Sequence, residues 1–170
     1  EMLRSLVGSE MCIRDRMPVA IMAMGIVFNL LNGMMQAGGL FYFAPEGLYA
    51  DGWAYLLKPH ALLGIILFFA GMFVNLHSDY VIRHLRRPGD TKHYLPGKGL
   101  YRYVTSANYF GELVEWTGFA ILTASPAAWV FVWWTFANLV PRADAIHRRY
   151  REEFGDEVVG KRKRIIPFLY

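Results

Sequence analysis

MPVAIMAMGIVFNLLNGMMQAGGLFYF, Met17 to Phe43, carries no formal charge and is long enough to cross a membrane as a helix. A hydrocarbon core of about 30 Å needs roughly 20 mainly apolar residues in helical form. Three further candidates follow. Ala61 to Val74 is apolar but short, and reaches spanning length only if it runs from about Ala54 to Asn75. Tyr109 to Ala124 contains Glu112 and Glu115, whereas Ala127 to Val140 holds Trp129, Trp133 and Trp134 and no charge. Ser125-Pro126 separates the last two and suits a tight helical hairpin. The expectation is an all-α, multi-pass integral membrane bundle with helices near 18–43, 54–75, 108–124 and 127–141.

The composition agrees. Of 170 residues, 55% are hydrophobic and only 19% charged, against about 25% charged in an ordinary soluble domain. The length allows one domain. The low charge total argues against a nucleic-acid binder despite a net charge of +4. Cys12 is the single cysteine, so an internal disulfide, a thiolate zinc site and a redox dithiol are excluded. The bland alternative is a soluble bundle with buried hydrophobic helices.

Basic residues test the layout independently. Two hairpins put the 75–108 loop and the tail from Arg142 on one face. With the N-terminal arginines on that face too, every one of the 18 Lys and Arg residues except Lys58 lies there. This asymmetry predicts that the loop and both termini are cytosolic. The host would be the endoplasmic reticulum in a eukaryote or the cytoplasmic membrane in a bacterium. Residues 1–16, EMLRSLVGSEMCIRDR, lack both the apolar span and the periodicity of the chain from Met17 onward. They read as an unrelated or non-native leader rather than a signal peptide, which leaves residues 17–170 as the membrane domain.

Ionisable residues at membrane depth are costly and usually face a cavity or a partner. Asn108, Glu112 and Glu115 are spaced i, i+4, i+7 and share one helical face. Asn75 and Asp79 are also i, i+4, and Arg83 and Arg86 extend their face. Arg142, His147 and Tyr150 begin the tail where the fourth expected helix leaves the membrane. Three helix ends thus bring amides, carboxylates and guanidiniums to one cytosolic mouth. Such a set suits a ligand with phosphates, riboses and an amide, since arginine forks onto phosphate and carboxylates accept from hydroxyls. A basic fringe on anionic lipid explains Lys161 to Arg164 equally well, but not the interleaved Asn and Asp. Pro96-Gly97-Lys98-Gly99 is not a Walker loop, and no GxGxxG follows a strand. His77 and His84 lack a third clear ligand, so no metal site is expected.

The run NLHSDYVIRHLRRPGDTKHYLPGKGLYRYVTSANYFGELVEWTGFA, Asn75 to Ala120, resembles the C-terminal half of steroid 5α-reductases. The ending RRYREEF…KRKRIIPFLY does so as well, and the likeness runs from Met17 to Tyr170. Asn-x-His-Ser-Asp and Asn-x-x-Gly-Glu-x-x-Glu-Trp, in that order, favour this family over the similar polyprenol reductases. The resemblance implies reduction of the C4–C5 double bond of 3-oxo-Δ4-steroids with NADPH inside a multi-helix membrane fold. It also implies that Asn75, Asp79, Arg86, His93, Tyr94, Asn108, Glu112, Arg142, Tyr150 and Arg162 line the cofactor's site. The chain departs from the family at His93-Tyr94-Leu95-Pro96, where a Tyr-Lys or Tyr-Arg pair is usual, and at Lys98-Gly99, which replaces a Gly-Gly pair. The family's steroid-ketone donors, a Glu and a Tyr, precede the region matching Met17, so no catalytic donor is assigned here. The rival readings are a reductase of another lipid enone, an isoprenylcysteine methyltransferase-like enzyme, and a non-catalytic membrane module that binds NADPH.

Overall fold

A computed structural model describes residues 19–86, 90 and 92–170; the expected leader, residues 1–16, lies outside them. Among the described residues the chain is helical: α1 is Val19–Phe41, α2 Pro59–Arg83, α3 Ala107–Thr123, α4 Pro126–Phe154 and α5 Asp156–Val159. The only extended pairing among them is one parallel bridge between Val104 and Lys163. Both α1 and α2 are long and apolar enough to cross a membrane. Along α1 only Gln36 and Gly39 are buried, while Met24 and Leu30 are exposed, so its apolar surface needs lipid or protein to cover it.

Two boundaries differ from the sequence expectation. The second helix, expected over 54–75, begins at Pro59 and continues to Arg83. Proline pushes the residue before it out of the helical region. Lys58 is accordingly extended, at φ −64° and ψ 142°, and Pro59 occupies the first turn, where its missing N–H costs nothing. Gly52–Leu57 instead forms a 3₁₀ turn, whose Tyr55 Oη donates to Leu122 O at 2.9 Å. Nearby, Tyr49 Oη donates to Thr123 O at 2.5 Å.

The fourth helix, expected over 127–141, passes through Pro141 and ends at Phe154. An interior proline removes one backbone hydrogen bond, but the turns beyond it have their own support. Ala143 and His147 are buried one turn apart. On the outer side, Asp144–Arg148 and Arg149–Glu153 are i, i+4 ion pairs at 2.9 and 3.9 Å. The third helix stops where Ala124 turns left-handed at φ 49°, and α4 starts two residues later.

The antiparallel pair α2–α3 forms the centre of the bundle. Gly64 and Gly71 of α2 meet Gly118 and Gly111 of α3 so closely that an added Cβ would overlap backbone at every one of them. Small residues permit this approach, the usual basis of helix association where lipid removes the hydrophobic driving force. Beyond α5 the tail folds back onto the start of α3. Lys163 N donates to Tyr103 O, Thr105 N to Lys163 O and Ser106 N to Arg164 O, at 2.8, 2.9 and 3.1 Å. Ile165 is fully buried with Leu113, Leu139 and Ala143, which ties the tail to both hairpin helices.

Candidate functional site

Glycine packing sets the site's inner end. Gly111 lies against the backbone of Asn75, and Gly71 against that of Glu115, so these polar residues flank a close α2–α3 contact. The Asn75 side chain lies close enough to the Glu115 carboxylate to interact with it. One turn toward the α3 N-terminus, half-buried Glu112 sits in the fields of Glu115, Arg142 and Asp79. Asp79 lies 3.7 Å from Arg83. Glu112 and Arg142 have no ion-pair partner within 4 Å among the described residues. The same is true of Arg86 and Arg162.

Asn108 follows on the same face. Its Oδ1 accepts from Tyr101 Oη at 3.3 Å. Tyr101 is 1% exposed, packed with Val81, Val104 and Ala107. Burial holds its phenol well above the usual value, with Tyr150 and Asp79 adding to the effect, so it remains a neutral donor. Burial likewise raises the Tyr150 hydroxyl, which lies within the fields of Arg149, Glu153, Tyr109 and Arg86. Arg162 donates through Nη1 to Pro96 O at 2.8 Å; burial pushes it below its ordinary value, and Tyr150 offsets part of this.

The structure therefore gathers Asn75, Asp79, Arg86, Asn108, Glu112, Arg142, Tyr150 and Arg162 around one end of the helix bundle. His93 and Tyr94 lie at its outer edge with partners of their own. His93 Nδ1 is 2.6 Å from Glu153 Oε1, and Tyr94 Oη donates to Asp90 Oδ2 at 2.8 Å. Asp90 is held below the carboxylate range, first by the Lys92 N–H and then by Tyr94. Sequence reasoning missed Tyr101 and Glu153. Tyr101 stands outside the helical periodicity that marked Asn108 and Glu112, and Glu153 lies in the RRYREEF stretch, which carries the resemblance without giving that residue a role.

The donor set fits a dinucleotide. Guanidiniums without carboxylate partners suit phosphates, and a half-buried carboxylate without a cation in contact suits hydroxyl or amide donors. Among the described residues no group of three or more His, Cys, Asp or Glu could hold a metal ion.

Comparison with known proteins bears on the same region. The family described as 3-oxo-5-alpha-steroid 4-dehydrogenase matches residues 15–170. The chain is 43% identical over 154 residues to 3-oxo-5-alpha-steroid 4-dehydrogenase 1 of Macaca fascicularis, covering 91% of this chain and 56% of the relative. It is 42% identical over 154 residues to the Homo sapiens protein of that name, covering 91% and 57%. It is 38% identical over 153 residues to steroid 5-alpha-reductase DET2 of Gossypium hirsutum, covering 90% and 58%. The chain thus spans little more than half the length of these relatives.

Proposed function

Since the chain belongs to the 3-oxo-5-alpha-steroid 4-dehydrogenase family, a family of oxidoreductases, we propose that it forms the NADPH-binding part of a membrane enone reductase. The substrate class is a 3-oxo-Δ4-steroid or a related lipid enone, reduced at the C4–C5 double bond. The comparisons favour this reading over the methyltransferase-like one. The observation that carries it is the set of charges without an ion-pair partner among the described residues, Arg86, Glu112, Arg142 and Arg162, arranged around Tyr101, Asn108 and Tyr150 at one end of the bundle.

In this reading Arg86, Arg142 and Arg162 hold phosphates, and Asp79 and Glu112 accept from ribose hydroxyls or an amide. Tyr101 fixes the Asn108 amide: its hydroxyl takes Oδ1, which leaves the Asn108 NH₂ to donate to a ligand. Asn75 and Glu115 lie together and form the wall behind Glu112. NADPH, when bound, supplies the hydride. The roles proposed for the residues from Asn75 to Arg162 are binding and orientation of the cofactor.

The membrane layout belongs to the same proposal: α1, α2, α3 and the first part of α4 cross the bilayer, and the 83–107 loop and both termini face the cytosol. The position of all basic residues but Lys58 supports it. The experiment is a titration of the reconstituted chain with NADPH and, separately, with S-adenosylmethionine. Saturable binding of NADPH alone is expected. Binding of S-adenosylmethionine alone would overturn the reading.

A further inference from the structure

The folded tail carries a second charged surface that meets the cofactor site only at Arg162. A cleft of about 490 Å³ opens beside the α3 N-terminus, and Arg102, Tyr103, Lys161, Arg162, Lys163 and Phe168 are among its walls. Most cations of the tail region are already taken. Arg148 and Arg164 pair with Asp144, Arg149 with Glu153 and Arg151 with Asp156. Arg162 is turned to Pro96 O. The exposed side chains of Arg102, Lys161 and Lys163 have no carboxylate within 4 Å among the described residues.

Next to these cations stand apolar side chains that the fold holds outward. Phe168 is 77% exposed and Leu169 75%. They are not on a loose end. Ile165 N and Ile166 N both donate to Tyr170 O at 2.9 Å, Arg164 lies over the Tyr170 ring, and Ile165 is fully buried. Phe168 itself is in the left-handed region at φ 65°, which a side-chain-bearing residue rarely adopts, with its ring 5.1 Å from that of Tyr103. A rigid turn that presents Phe and Leu beside unpaired Lys and Arg has the chemistry of a bilayer interface.

The height of this turn agrees. Thr105, bonded to the tail through Lys163 O, lies with Oγ1 3.3 Å from His147 Nδ1. Along α4, the rise from Pro126 to His147 is about 32 Å, close to the roughly 30 Å thickness of a hydrocarbon core. The cleft therefore lies where α4 emerges, at headgroup depth.

We propose that this platform binds the headgroup of an acidic phospholipid of the cytosolic leaflet. Arg102, Lys161 and Lys163 surround the phosphate, and Phe168 and Leu169 enter the acyl boundary. The proposal rests on the membrane layout but not on the reductase chemistry.

The test places a bimane fluorophore at Phe168→Cys and, as a reference on α1, at Met24→Cys, each in a Cys12→Ser background. The chain is reconstituted with brominated phosphatidylglycerol or brominated phosphatidylcholine as quencher. Met24 should be quenched equally by both lipids, and Phe168 severalfold more by phosphatidylglycerol. The triple variant Arg102→Gln, Lys161→Gln, Lys163→Gln should remove most of this acidic-lipid preference and bring quenching at position 168 by the two lipids close to equal. Equal quenching at Phe168 by both lipids, with Met24 quenched, would overturn the platform. So would recovery of fluorescence on adding inorganic phosphate at constant ionic strength, which would assign the cleft to a soluble anion. Absence of quenching at Met24 would bring down the membrane layout and the proposal with it.

Discussion

Asn75 and Glu115 sit side by side across a close α2–α3 approach, where Gly71 abuts the Glu115 backbone and Gly111 that of Asn75. Polar function and helix packing thus meet at one point. In the proposed membrane layout Glu115 is a carboxylate at membrane depth, which needs a partner, and an approach that only glycine allows brings Asn75 beside it.

The first prediction tests that coupling. In Gly71→Ala the new Cβ would overlap Glu115 N and Cα, and in Gly111→Ala it would meet Asn75 N. Backbone cannot yield as a flexible side chain can, so each should cost about 1–3 kcal/mol or more of stability. Both should also weaken NADPH binding by displacing Asn75 and Glu112. Gly97→Ala, with nothing within 4 Å, should stay within about 0.5 kcal/mol of wild type. Thermal unfolding in a defined detergent checks all three.

Glu112 and Glu115 should separate by role. Glu115 has Asn75, whereas Glu112 has no contact partner among the described residues and faces Arg142 only through space. Glu112→Gln keeps the shape and removes a charge-assisted acceptor, a loss of about 1.5–3 kcal/mol in cofactor binding, or roughly 10- to 150-fold. Glu115→Gln should cost less affinity and more thermal stability. Parallel titrations and melts of the two variants check this, and the reverse ordering would exchange the roles.

Cofactor preference should follow the unpaired guanidiniums. Arg86, Arg142 and Arg162 each lack a carboxylate within 4 Å among the described residues, so they are available to the additional 2′-phosphate of NADPH. NADPH should bind more tightly than NADH, and Gln at one of the three positions should remove most of the difference while leaving NADH affinity nearly unchanged. Competitive titration of both nucleotides against each variant identifies the residue. Equal affinity of wild type for the two would refute the assignment.

Acid should loosen the tail. His147 is 7% exposed and bonded to Thr105; burial, then Arg164 and Arg151, holds its imidazole below the ordinary value, with Asp144 and Asp156 opposing. The folded state therefore binds its proton less readily than the unfolded chain does. Stability from this residue is complete above about pH 6.5 and is lost as pH falls from there through the lowered folded value. The melting temperature of wild type should drop over that interval, and His147→Gln should flatten the drop.

Much of the fold is legible in the residues because long apolar runs make the code simple. The charge-free run at Met17–Phe43 and the i, i+4, i+7 face of Asn108, Glu112 and Glu115 follow from length and period alone. Two helix boundaries escape that code for local reasons. Pro59 starts a helix rather than interrupting one, and Pro141 sits in a helix that Asp144–Arg148 and the burial of Ala143 and His147 sustain beyond it. Both depend on tertiary support that hydropathy does not register. The site's polar face is visible in the sequence, but its second layer is not: Tyr101 lies in a 3₁₀ turn, where no period points to it.

That hidden tyrosine supplies the last prediction. Tyr101 Oη donates to Asn108 Oδ1 from a fully packed ring, and burial keeps the phenol protonated. Tyr101→Phe preserves the ring and its contacts with Val81 and Val104. It leaves Oδ1 without its donor, at a cost of about 0.5–1.5 kcal/mol in stability. The larger consequence concerns orientation. Without the hydroxyl, the Asn108 amide is free to turn its oxygen toward the ligand, presenting an acceptor where a donor is required. NADPH affinity should therefore fall by more than the stability loss alone accounts for. Asn108→Asp, which offers only acceptors, should reproduce the affinity loss with Tyr101 intact. If Tyr101→Phe lowers the melting temperature but leaves NADPH affinity at the wild-type value, Tyr101 serves packing only, and the Asn108 amide is oriented by other contacts.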